Sequence, residues 1–145
     1  MMKDDFSTNV ILSIKGGQMV NGEENTMELV TEGTLQKIDD KYKIVYKETE
    51  ITGMGNTVTT IDIIPEKIKI TRTGDVNSEL IFEQDKKNTT YYETENMPFT
   101  VSIYTNVLFS EIDENGGEIN LKYLLSLDNN EPSINEFNMN IRRKA

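Results

Sequence analysis

Two residues stand out as sites for chemistry, Glu48 and Arg72. Each is a charge placed where an apolar side chain is due. Along 41–49, Tyr42, Ile44, Tyr46 and Glu48 fall on one face, and lysines crowd the other. Along 67–73, Ile68, Ile70 and Arg72 share a face opposite Lys67, Lys69 and Thr71. A lysine face turns to water, so the tyrosine and isoleucine rows point inward. An inward charge must be paired or stand at a rim, because an unpaired buried charge is very costly. A rim ion pair is the favoured reading, since both residues lie near strand ends and buried charges are rare. The functional reading is a polar anchor inside a cavity. An arginine holds a carboxylate or phosphate by two points, and the hydroxyls of Tyr42, Tyr46, Tyr104 and Tyr123 would add contacts.

Catalytic chemistry finds less support. The chain has no His, Cys or Trp. No Ser–His or Cys–His pair is available to activate a nucleophile. Thiolate and imidazole metal sites are excluded, and no metal or other cofactor is expected. Asp113-Glu114-Asn115-Gly116-Gly117-Glu118 superficially suggests a calcium loop. It lacks the EF-hand spacing and its flanks are strands, so it reads as a hairpin turn. With 25 acidic residues, carboxylate pairs arise by chance and carry no specificity. Gly53-Met54-Gly55-Asn56 is followed by neither a helix nor Lys-Ser/Thr, so it is not a phosphate loop. A non-enzymatic protein is the expectation.

The charge balance narrows the partners. A net charge of -10 repels phosphate backbones, so nucleic acid is not an expected partner. Arg142-Arg143-Lys144, the only basic cluster, reads as a solvated tail. No apolar run reaches the ~20 residues that span a bilayer, and Met1 to Phe6 shows no signal-peptide core. Membrane attachment is not expected, and the absence of cysteine fits a reducing cytoplasm.

The elements that must position these residues are strands. Apolar residues recur at every second position, most clearly from Ile119 through Leu121, Tyr123 and Leu125 to Leu127. Strands are predicted at 6–15, 26–38, 41–49, 57–64, 67–73, 78–83, 89–94, 99–112, 118–128 and 134–143. Gly16-Gly17 and Asn21-Gly22 are expected to bracket the first connection. Asp39-Asp40, Gly53–Asn56, Pro65, Gly74-Asp75, 85–88, Asn96-Met97-Pro98, Asn115-Gly116 and 128–132 mark the others. Over 99–112 the phase is ambiguous. Phe99, Val101, Ile103, Val107 and Phe109 form one face, and Tyr104 and Leu108 the other.

Residues 1–145 therefore form one all-β domain. A meander of this kind leaves two exposed edges unless it closes, and Gly33 inside 28–36 marks a bend suited to a barrel corner. A single antiparallel up-and-down barrel of about eight to ten strands is the first expectation, and a two-sheet sandwich the second.

The motif order carries a resemblance. It runs Tyr42-Lys43-Ile44-Val45-Tyr46-Lys47-Glu48, Thr59-Thr60, Ile70-Thr71-Arg72-Thr73-Gly74, Leu80-Ile81-Phe82 and Tyr91-Tyr92-Glu93-Thr94. It ends with Ile119 to Leu127 and Asn135-Glu136-Phe137-Asn138-Met139. This resembles the YwiB-like family of small bacterial proteins, which have a calycin-type (lipocalin-like) β-barrel and no assigned function. Asn96-Met97-Pro98-Phe99 departs from it, where a Pro and a Gly are expected. The resemblance implies a bacterial, cytoplasmic barrel. Calycin barrels hold small hydrophobic ligands, an analogy of fold alone. Fatty-acid-binding proteins differ from this chain by a helical lid after the first strand and an Arg-x-Tyr near the carboxyl end.

Two functions follow. In the first, the lumen holds a small hydrophobic or anionic molecule, with Arg72 near Glu48, Tyr42, Tyr46, Tyr104 and Tyr123. That reading asks for a cavity of at least ~300 Å³. In the second, the core is filled and a partner, such as a second copy forming a homodimer, covers an outer face.

Overall fold

In a computed structural model, the described residues are 5–48, 55–75, 77–92, 99–128 and 130–144. The expected strand end at 93–94, the Asn96-Met97-Pro98 turn and the first half of the Gly53–Asn56 turn lie outside them. Ten strands follow one another. They are β1 (Phe6–Val20), β2 (Glu23–Ile38), β3 (Lys41–Lys47), β4 (Thr57–Ile64), β5 (Lys67–Gly74), β6 (Ser78–Glu83), β7 (Lys87–Tyr92), β8 (Phe99–Asp113), β9 (Gly116–Leu127) and β10 (Ser133–Arg143). They form one sheet in the order β6-β5-β4-β3-β2-β1-β10-β9-β8-β7, every pairing antiparallel. The sheet curls into a nearly closed barrel, as alternation and short turns require.

Gln84 draws the two sheet ends together. Its side-chain amide takes the place of a peptide group, donating to Asn106 O and accepting from Leu108 N at 2.8 Å. Next to it, Asp85 N donates to Thr105 O at 2.8 Å. The end of β6 and the stretch of β8 that β7 leaves uncovered gain hydrogen bonds they would otherwise lack.

Three local expectations are corrected. Gly16 and Gly17 lie inside β1, and the first turn is Asn21-Gly22 alone, with φ of 50° and 81°. Two successive positive φ values match the twist of a tight hairpin, and Asn-Gly adopts them readily. Gly116 begins β9, and the turn before it is held by Asn115 N donating to Asp113 Oδ1 at 2.8 Å. In β8 the pairing slips between Thr105 and Val107, leaving Asn106 as an extra residue. The slip reverses the phase. Val101, Ile103 and Thr105 point inward before it, and Leu108 and Ile112 pack inward after it. Val107 and Phe109 are turned outward, 39% and 40% exposed.

The core is apolar and continuous. It includes Val10, Leu12, Leu35, Ile44, Ile61, Ile68, Phe82, Ile103, Ile119, Leu121 and Met139. Gly33 permits one close approach. A Cβ there would lie 2.6 Å from Val45 O and 3.2 Å from the Cβ of Tyr46, its partner on β3. The bare backbone lets Tyr46 turn fully inward.

Candidate functional site

Strands β3, β4 and β5 deliver a polar cluster to one end of the inner face. Their register sets Tyr46 beside Thr59, and Thr59 beside Arg72. Glu48 follows β3 and is held by its backbone N donating to Thr57 O at 2.8 Å. Its side chain is only 2% exposed and that of Arg72 17%. Thr59 Oγ1 donates to Glu48 Oε2 at 2.5 Å. Arg72 Nε lies 3.6 Å from the same oxygen, within ion-pair reach but without a hydrogen bond. The two charges share an inner face, as alternation suggests, and the pair is more deeply buried than a rim pair.

The tyrosines divide. Tyr46 is 4% exposed, and burial, with a smaller push from the Glu48 charge, holds its phenol well above the ordinary range. Arg72 opposes that rise. Tyr123 stands edge-on to Phe82, with ring centroids 4.9 Å apart. Burial raises its phenol too, again against the Arg72 charge. Tyr42 faces inward at the opposite end, tilted against Phe6 at 6.4 Å. Tyr104 is on the outer face of β8, 37% exposed. So Tyr46, Glu48, Arg72 and Tyr123 belong to one site, and Tyr42 and Tyr104 do not.

Threonines complete the site, and side-chain type alone does not single them out. Thr59 and Thr105 are fully buried. Thr105 pairs with Tyr123 across β8 and β9, and its hydroxyl has no hydrogen bond. At the same end of the barrel, the buried Asn135 amide donates to Ser133 Oγ at 2.8 Å. An open notch of about 770 Å³ lies beside the cluster, bounded by Gly33, Tyr46, Lys47 and Val58 among others. It forms where β2 parts from β3 beyond the Gly33–Tyr46 pair. Among the described residues, no group of three or more His, Cys, Asp or Glu could hold a metal ion.

A family model described as "Domain of unknown function (DUF1934)" matches residues 12–141. The chain belongs to the DUF1934 family. Among solved structures, it is similar to the crystal structure of ywiB protein from Bacillus subtilis. That likeness has a TM-score of 0.86 at 17% identity, covering 98% of this chain and 96% of that one. At this identity the likeness speaks for the fold, and the YwiB-like resemblance holds at the level of family and barrel. Among curated proteins no match is found. The DUF1934 match spans β3 to β5 and β8 to β9, the strands that carry the polar cluster.

Proposed function

We propose that this barrel is a non-enzymatic binding protein whose ligand is a small molecule with an anionic or strongly hydrogen-bonding end. The carrying observation is a pair of orphaned polar atoms beside Tyr123. Arg72 Nε and Thr105 Oγ1 are both buried without a hydrogen bond. Native interiors rarely leave such groups unmet, because each loses its water and gains nothing in return. A ligand oxygen reaching either would meet a group the protein leaves unmet. Arg72 supplies the charge and Tyr123, kept protonated by burial, an O–H donor, while the Tyr46 phenol is engaged with Glu48 and Thr59. Glu48 and Thr59 fix the guanidinium from the other side. The notch at Gly33 and Tyr46 is the opening nearest the cluster.

Native mass spectrometry of the protein purified from its own host tests this reading. The expected result is a retained small molecule in the wild type and its loss in Arg72→Met. A wild-type protein that carries nothing, and takes up no added amphipathic anion such as a naphthalene sulfonate dye, would refute it.

A further inference from the structure

The outer face of β1, β10, β9 and β8 carries a pattern independent of the inner site. Its registers define rows that cross the strands. One row runs Met19, Ile134, Leu124, Tyr104, over four strands. Met19, Ile134 and Tyr104 in it are 42%, 54% and 37% exposed. The next row runs Gly17, Glu136, Lys122, Val107, and the one after it Lys15, Asn138, Asn120, Phe109.

We propose that this face joins a second copy of the chain about a two-fold axis running along the β9–β10 seam. Such an axis lays each row on its own reverse, as an isologous contact requires. Ile134 then meets Leu124 of the other copy, with Met19 and Tyr104 flanking them. Glu136 meets Lys122, so the pair that lies 3.7 Å apart within one copy becomes a ring of four alternating charges. Asn138 meets Asn120, each with an amide that makes no hydrogen bond among the described residues.

Shape agrees with charge. The slip in β8 raises Val107 and Phe109 on one side of the axis. On the other side is a hollow of about 240 Å³ at Gly17, Met19 and Glu136, and a second of about 330 Å³ at Lys15 and Asn138 reaches across the seam to Asn120. The reversal sets Val107 over Gly17 and Phe109 over Lys15, an apolar knob in a glycine hollow and a ring beneath an ammonium. A row with one sign of charge, or a knob without a hollow, would not be self-complementary. The row from Gly17 to Val107 reverses in both respects, which selects a second copy over an unrelated partner.

The test mixes two charge reversals in the full-length chain. Lys122→Glu alone surrounds the axis with four carboxylates, and Glu136→Lys alone with four ammonium groups. The wild type is expected to sediment as a dimer, and each variant to dimerise at least about tenfold more weakly. An equimolar mixture should regain wild-type association as a mixed dimer, since every Glu then faces a Lys. Each single variant has lost its internal pair, so recovery reads the contact between copies alone. Gly17→Phe, which fills the hollow where the monomer has room, should also weaken dimerisation about tenfold. A wild-type chain that stays monomeric at about 0.1 mM overturns the proposal. So does a dimer indifferent to all three substitutions, or a mixture that fails to recover.

Discussion

The inner face of the barrel has two ends built from the same strands and held in different ways. At the Tyr42 end, β3, β4 and β5 present Tyr42, Ile63 and Ile68, and Phe6 lies across Tyr42. At the other end the same strands present Tyr46, Glu48, Thr59 and Arg72. Strand geometry, register and depth are shared, so side-chain chemistry makes the difference. The first end is stabilised by removing apolar surface from water. The second buries two charges and must offset their desolvation with hydrogen bonds to Glu48 from Thr59 and Tyr46 and one ion pair. A well-packed apolar end would serve stability at least as well. The polar end is therefore the one on which the binding proposal rests.

The largest expected effect comes from breaking the ion pair on one side only. Glu48→Leu strips Arg72 of its counter-charge and should destabilise the protein by about 3 kcal/mol or more in urea unfolding. The double variant Glu48→Leu/Arg72→Met removes both charges and should return to within about 1 kcal/mol of the wild type. It should also lose the retained ligand. Stability recovered together with binding lost separates the two ends as the comparison demands. A double variant as unstable as the single would instead make the pair a structural element like the isoleucines opposite.

The apolar end supplies the control. Ile63→Val removes one methyl group from a 4% exposed side chain and should cost about 1 kcal/mol. Ligand retention should be unchanged, because Ile63 lies at the other end of β4. A loss of ligand in this variant would mean that the binding site extends along the whole lumen.

Much of this contrast is legible in the sequence. The period of two fixes faces, so alternation by itself places Glu48 and Arg72 inward; Gly33 reads as a bend in the sequence, and the structure shows a close approach there instead. Thr59 and Thr105 carry no such signal. A threonine suits either face of a strand, and only burial shows which polar atoms lack partners. The outer face is hidden for another reason. The extra residue in β8, Asn106, has no distinctive side chain, yet it reverses the phase of everything after it. Without the slip, Val107 and Phe109 would join the core and the knobs of the outer seam would vanish. Gly16-Gly17 misleads in the same way, because glycine marks flexibility as readily as an open surface. Gly17 meets nothing nearer than Glu136 Cβ at 4.0 Å, and it forms the floor of a hollow.

The smallest effect sharpens the polar end through pH. Tyr46 and Tyr123 hold their protons more tightly folded than unfolded, chiefly because burial disfavours the phenolate. A group whose folded pKa is raised contributes its full stability below the unfolded value, about 10 for tyrosine. That contribution is lost as pH climbs from there toward the folded value. The protein should therefore lose stability progressively above about pH 10. In an alkaline titration followed by phenolate absorbance, these two rings should ionise only as the fold opens. Tyr46→Phe and Tyr123→Phe should each shrink that late step and leave the fold intact, since an aromatic ring still fills the space. If both rings instead titrate freely in the folded protein, water already reaches Arg72, and the orphaned atoms beside Tyr123 would be solvated without a ligand.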